Sequence, residues 1–233
     1  MPEEPLAEPA AVARGIRMTG PWGPVYGPVD VEIGSGGVTI LVCPAGEGRT
    51  ALMMTLAGRM RPVAGELTVL GQTKATDIFD LAALAGIDEI DTVAESVTVR
   101  DLITEQLRWD APWYRLVRRA DADDLARVCA PVFGELPLPP LGEYVEELTE
   151  LDGLLLRIAL ANTRRPPLLV VGQLDQVTGE HNRDLLLQRL IALGAEQTVV
   201  TASVDPVTDA GVRAQLEVAN VTRAELVSHE EGE

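Results

Sequence analysis

Residues 37–58, GVTILVCPAGEGRTALMMTLAG, constrain this chain more than any other stretch. The run GVTILVC is continuously apolar and β-branched, the pattern of a strand buried on both faces. It enters a glycine-rich loop, and RTALMMTLAGRM then takes up the apolar spacing of a helix. Helix and buried strand alternate again downstream. The helix-patterned ELDGLLLRIALANTRR leads through Pro166 and Pro167 into LLVVG, and the amphipathic NRDLLLQRLIALGA leads into QTVVTAS and then AQLEVANV. Such alternation predicts an α/β fold with a mostly parallel sheet covered on both faces.

The loop itself nearly matches G-x-x-x-x-G-K-[ST], in which backbone N–H groups and a helix N-terminus surround phosphates while a lysine neutralises them. Gly48 and Thr50 match that pattern and Gly46 adds a glycine where a P-loop wants one, whereas Cys43 replaces the first glycine and Arg49 the lysine. Arginine keeps the charge but brings a planar fork in place of a compact ammonium. Lys74 is the only lysine in the chain, so no other lysine in the loop can substitute. Gly46, Glu47, Gly48, Arg49, Thr50 and Ala51 are therefore the candidate nucleotide-binding residues, with the Thr50 hydroxyl the candidate Mg²⁺ ligand. Three readings of the loop stand: a site that still holds phosphate, a remnant of one, and a glycine turn that merely joins a strand to a helix.

Upstream, AVARGIRM and VDVEI read as short strands joined by the Gly/Pro-rich link TGPWGPVYGP, and AGELTVLGQT as a strand closed by a turn at Gly71. Helical periodicity dominates residues 88–147, in TVRDLITEQLRW and YRLVRRADADDLARVCAPVF, before the Pro-rich break ELPLPPLGEY. The chain divides accordingly. Residues 1–10 read as a disordered acidic tail, 11–87 and 148–227 as the α/β core, 88–147 as an inserted helical subdomain, and 228–233 as a second acidic tail. The net charge of -17 argues against nucleic acid as a partner. Cys43 and Cys129 are too few for a disulfide framework and lack metal-ligand spacing, and His181 and His229 read as surface residues. No apolar run is long enough to cross a bilayer, and the N-terminus lacks the order of a signal peptide.

Several segments together resemble the ATP-binding domain of ABC transporters: TLAGRMRPVAGELTVLG after the loop, ESVTVRDLI at the opening of the helical subdomain, ELTELDGLLLRIALANTRRPPLLVV, and QTVVTASVDP. The resemblance spans about 11–227 and implies a P-loop NTPase-like core: a mostly parallel sheet, an antiparallel edge and an inserted helical subdomain. It implies ATP and Mg²⁺ as cofactors. It also exposes substitutions. Where the family's strand ends in the Asp-Glu pair that orders Mg²⁺ and positions water, this chain has Gly172 and Gln173, and an amide cannot take a proton. Asp175 lies close by, so Gln173 and Asp175 are the candidates left for the catalytic position. The family's LSGGQ signature aligns with Glu150, Leu151, Asp152, Gly153 and Leu154, where only Gly153 matches and Thr149 is the nearest hydroxyl. The switch histidine aligns with Val204, and Asp88, Glu89 and Asp91 stand near the position of the missing subdomain glutamine. Trp22, or else Tyr26, takes the place of the adenine-stacking aromatic.

These departures imply a degenerate, regulatory or structural subunit. An active variant ATPase and a nucleotide-independent soluble adaptor are the alternatives. The expected partners are a membrane protein, a second ABC-type subunit, or both, with the chain cytoplasmic and peripheral at the inner face of the plasma membrane. ATP-driven homodimers are not expected, because Leu151 and Asp152 withdraw a donor and add charge beside a partner's γ-phosphate. The cluster Trp109, Trp113 and Tyr114 reads first as packing within the helical subdomain and second as an anchor for a partner.

Overall fold

The computed structural model describes residues 8–87 and 96–219. The first seven and last fourteen positions lie outside it, as do Asp88, Glu89, Asp91 and His229. Five strands form a wholly parallel sheet in the order β5-β6-β7-β3-β8, comprising β3 (Gly37–Val42), β5 (Ala82–Ala85), β6 (Leu168–Gln173), β7 (Thr198–Ser203) and β8 (Ala214–Glu217). The antiparallel part is a separate three-stranded sheet in the order β2-β1-β4, built from β1 (Ala11–Gly20), β2 (Gly23–Ile33) and β4 (Ala64–Val69). The residues of TGPWGPVYGP do not form a loose link. They continue β1 and β2 into one long hairpin turning at Pro21 and Trp22.

The parallel sheet sits between two apolar cores, which is why its strands read as unbroken apolar runs. Val38 and Ile40 of β3 pack into one core, while Leu41 packs into the other. In β6, Leu169 and Val171 face the first, and Leu168 and Val170 the second. The second core lies under α1 (Glu47–Leu56) and the antiparallel sheet. The first lies under α4 (Ala122–Phe133), α5 (Glu150–Ala161) and α6 (Glu180–Gly194). Each fully buried Leu or Ile of this set stabilises the fold by roughly 1.5–3 kcal/mol. Between α1 and β6 the chain also forms α2 (Ala75–Leu81) and α3 (Val99–Asp110). Neither α2 nor β5 stands out in the sequence, since AALA offers no alternation for a strand to show.

Helical periodicity over 114–133 overstates the helix. Its N-terminus is at Asp121, whose side chain accepts from the Asp123 and Asp124 amides while Asp124 reaches back to the Asp121 amide. Pro112 lies just after the end of α3, and residues 111–119 run over the surface before Ala120 returns to the core. Trp109, on the outer side of α3, and Trp113 and Tyr114, on this surface path, are exposed, so their reading as subdomain packing is corrected.

Candidate functional site

The glycine loop lies where a parallel α/β sheet ordinarily offers a site, outside the carboxyl ends of its strands. It connects β3 to α1, as the apolar run and helical spacing predict. Gly46 caps α1 with φ of 139°, a backbone conformation that glycine adopts without penalty. Its carbonyl accepts from the amides of Arg49 at 3.1 Å and Thr50 at 3.2 Å. No hydrogen bond among the described residues engages the amides of Gly46 and Gly48, and a β-carbon at Gly46 would meet nothing within 4 Å. The outer rim of the loop is thus open, with Glu47 exposed on it and Ala51 buried behind it.

Arg49 points the other way. Its side chain turns inward and the residue is only 3% exposed. One guanidinium nitrogen donates to the Cys43 carbonyl and pairs with Asp175 Oδ2, each at 3.3 Å, and the other donates to Gln173 Oε1. Asp175 stands on the short 3-10 turn Leu174–Gln176 that follows β6. Its Oδ2 also accepts from the Val204 amide at 2.9 Å, and its Oδ1 from the Ser203 hydroxyl at 3.4 Å. The Cys43 amide in turn donates to the Ser203 carbonyl at 3.0 Å. One guanidinium and one carboxylate therefore tie together the loops after β3, β6 and β7. The cation expected to face phosphate is neutralised by the protein itself.

The inner side has little room. Arg49, Thr50, Gly86, Gly172, Gln173 and Gln176 line a cavity of about 50 Å³, enough for water but not for a nucleotide. A β-carbon at Gly172 would lie 2.0 Å from the Gly86 carbonyl oxygen, so the backbone after β5 has closed over the position where the family carries its metal-ordering aspartate. With Asp175 engaged on both oxygens, Thr50 has no unengaged carboxylate beside it, and the described residues contain no cluster of three or more His, Cys, Asp or Glu able to hold a metal. These residues do not fit Mg²⁺. The open rim at Gly46 and Gly48 does fit a phosphate group through backbone donors.

The other sequence-derived positions fall as follows. Leu151 is buried in the core under α5 and presents nothing outward. Thr149 caps α5, accepting from the Asp152 amide and donating to its carboxylate. Glu150 accepts from the Thr178 amide, and that bond holds its carboxyl below the usual range. Val204 contributes its amide to Asp175 and leaves its side chain exposed. Tyr26 is buried, with its hydroxyl donating to Thr55 Oγ1 at 2.8 Å, so it is core and no stacking platform. Trp22 is exposed at the hairpin turn. Gly86 and Ser203 take part in this geometry without having been singled out from sequence. Glycines in strand contexts signal close backbone approach, which is the clue that Gly172 offered.

Burial pushes the Cys43 thiol up, with nearby Arg49 opposing and Asp175 adding to the rise, and burial alone pushes Cys129 up to about 12. Both thiols are expected to react with a thiol reagent near neutral pH at least about tenfold more slowly in the native chain than a free cysteine does. Both are expected to appear on unfolding. Rapid native labelling at Cys43 would show the loop to be open on its inner side.

No family model matches the chain. Over 111 residues it is 29% identical to the cytochrome c biogenesis ATP-binding export protein CcmA of Pseudomonas putida (strain GB-1), covering 45% of this chain and 53% of that protein. It is 48% identical over 48 residues to the probable multidrug ABC transporter ATP-binding protein YbhF of Escherichia coli (strain K12), which is 21% of this chain and 8% of that one. The chain thus spans about half the length of the CcmA relative it matches, or less of the others. Among solved structures, cbiO1 from Clostridium perfringens, part of the ABC transporter complex cbiONQ, superposes with a TM-score of 0.68 over 97% of this chain and 93% of that one at 13% identity. A putative ABC transporter ATP-binding protein from Pyrococcus furiosus gives 0.67 over 89% and 96% at 17% identity. The chain has the fold of ABC ATP-binding domains and is similar in sequence to ABC transporter ATP-binding proteins.

Proposed function

We propose that this chain is an ABC-type ATP-binding subunit whose hydrolytic machinery is degenerate, and that it acts as a regulatory or structural partner in a membrane complex. The observation that carries this reading is the Arg49–Asp175 pair. Phosphoryl transfer rests on positioning and charge neutralisation, and both the cation and the nearest carboxylate are committed to each other. Asp175 as a metal ligand, the premise of an active variant ATPase, conflicts with its bonds to Arg49, Ser203 and Val204. As cbiO1 belongs to a transporter complex, we assign this chain a membrane protein, a second ABC-type subunit, or both as partners, at the inner face of the membrane. No helix among the described residues is long and apolar enough to cross a membrane. The buried Leu151 and the acidic start of α5 make a poor completion for a partner's site, so ATP does not drive homodimers in this reading.

Titration calorimetry with ATP tests it. Binding through the Gly46 and Gly48 rim is expected to be weak and to change less than about twofold when Mg²⁺ is replaced by a chelator, since a backbone site answers to phosphate and not to metal. Trp22 is the residue proposed to touch the base. An affinity that rises tenfold or more with Mg²⁺ would restore the active-variant reading, and no heat at any ATP concentration would favour the nucleotide-independent adaptor.

A further inference from the structure

The surface excursion between α3 and α4 is the least expected feature of this chain. Trp109 is 73% exposed, Trp113 96%, Tyr114 75% and Leu116 100%. Only 3% of the chain is aromatic, and three of those side chains project here within six positions. Trp113 and Tyr114 hold one another edge to face at 5.9 Å. Protein interfaces usually seat aromatic anchors in pockets at the centre of a complementary surface. Exposed indole and phenol rings grouped in this way are also what an aromatic belt at a bilayer surface uses.

Charge points the same way. Residues 108–119 hold Arg108, Arg115, Arg118 and Arg119 against the single acid Asp110, in a chain whose net charge is -17. Arg118 pairs with Asp121 and Asp124, and Arg119 with Asp101. Arg108 and Arg115 form no ion pair among the described residues and flank the aromatic cluster. A hollow of about 470 Å³ at Leu116 joins apolar surface to Arg115, Arg118 and Arg127, with the carboxylates of Asp110 and Asp124 also on its wall. Indole and phenol rings favour the headgroup level of a bilayer, and arginines reach phosphates while their stems stay in apolar surroundings.

We propose that the segment from Trp109 to Leu116 inserts into the interface of a lipid bilayer carrying anionic phospholipids, with Arg108 and Arg115 on the phosphates. This contact is separate from the nucleotide loop, and it does not depend on the reading of that loop.

Co-sedimentation of the full chain with protein-free vesicles tests it, comparing phosphatidylcholine containing phosphatidylglycerol with phosphatidylcholine alone. Binding is expected on the first and at least about tenfold weaker on the second, as each arginine near an anionic surface adds roughly a factor of five. The double variant Trp113→Ala/Leu116→Ala is expected to lose at least about tenfold in partitioning. Arg108→Glu/Arg115→Glu is expected to lose the preference for anionic lipid. All four positions carry no core contact, and unchanged circular dichroism and melting confirm that the variants fold. Brominated acyl chains are expected to quench the fluorescence of the natural chain more than that of Trp113→Ala, which reports insertion directly. Absence of binding to any protein-free vesicle, binding untouched by the Trp113/Leu116 variant, or capture only by vesicles holding a reconstituted membrane protein would each overturn the proposal.

Discussion

Phosphate release by the isolated chain in ATP and Mg²⁺ is expected to remain at background, at least about 10³-fold below an ABC ATPase with its full complement of groups. Loss of one preorganised charge-stabilising group typically costs about 10²–10³ in rate, and several are replaced here. Thr50→Ala is expected to leave the background unchanged, because a hydroxyl without a neighbouring carboxylate has no metal to ligate. Installing the family's residues is not expected to help. The Gly172→Asp change places a β-carbon 2.0 Å from the Gly86 carbonyl oxygen, a backbone atom that no rotamer change can move. Even Gly172→Ala is expected to cost about 3 kcal/mol, at the upper end of the overpacking range, read as a shift in the urea midpoint. Robust turnover abolished by Thr50→Ala, or a Gly172→Ala chain as stable as the natural one, would sink the idea that this site has closed structurally.

That closure marks the boundary of what the residues disclose on their own. The strand GVTILVC and its glycine loop were readable because burial on both faces forces an unbroken apolar run, and because the loop position at Gly46 is set by a backbone conformation that glycine supplies. The helical subdomain was legible only in outline. Periodicity continues upstream of Asp121, whereas the helix start is decided by a local cap, so residues 114–120 misled. Aromatic residues default to a core reading on hydrophobicity alone, and only the path of the chain past Pro112 brings Trp113 outward. At the site, the sequence revealed which groups are replaced. It could not reveal that Arg49 turns away from the loop mouth, since that depends on Asp175 and Gln173, 126 and 124 residues distant along the chain. Asp175 was noticed for its nearness to the missing pair. Its role as a clamp between three loops is a property of the folded sheet.

The second large effect concerns that clamp. Asp175→Ala is expected to destabilise the chain by about 3 kcal/mol, because it strands the Arg49 guanidinium, 4% exposed in its side chain, with only amide and carbonyl partners. The same change strips the Val204 amide of its acceptor. Arg49→Met, which keeps the apolar stem, is expected to cost less, since Asp175 is a quarter exposed and can recover water. The double variant should fall short of the sum by about 1–3 kcal/mol, the signature of a directly coupled pair. The coupling should persist in high salt, because burial limits screening. A coupling below about 0.5 kcal/mol would reduce the pair to an incidental contact, as for exposed ion pairs. Function then supplies an opposite-signed readout. If the carboxylate holds the guanidinium away from the loop mouth, Asp175→Asn should bind ATP more tightly than the natural chain despite its lower stability, because a released arginine is free to meet phosphate. If Asp175 were instead a metal ligand, the same variant would bind ATP more weakly, and only in the presence of Mg²⁺ would the difference appear. Stability and affinity moving in opposite directions is an outcome that the clamp requires and that a surviving ATPase site does not allow.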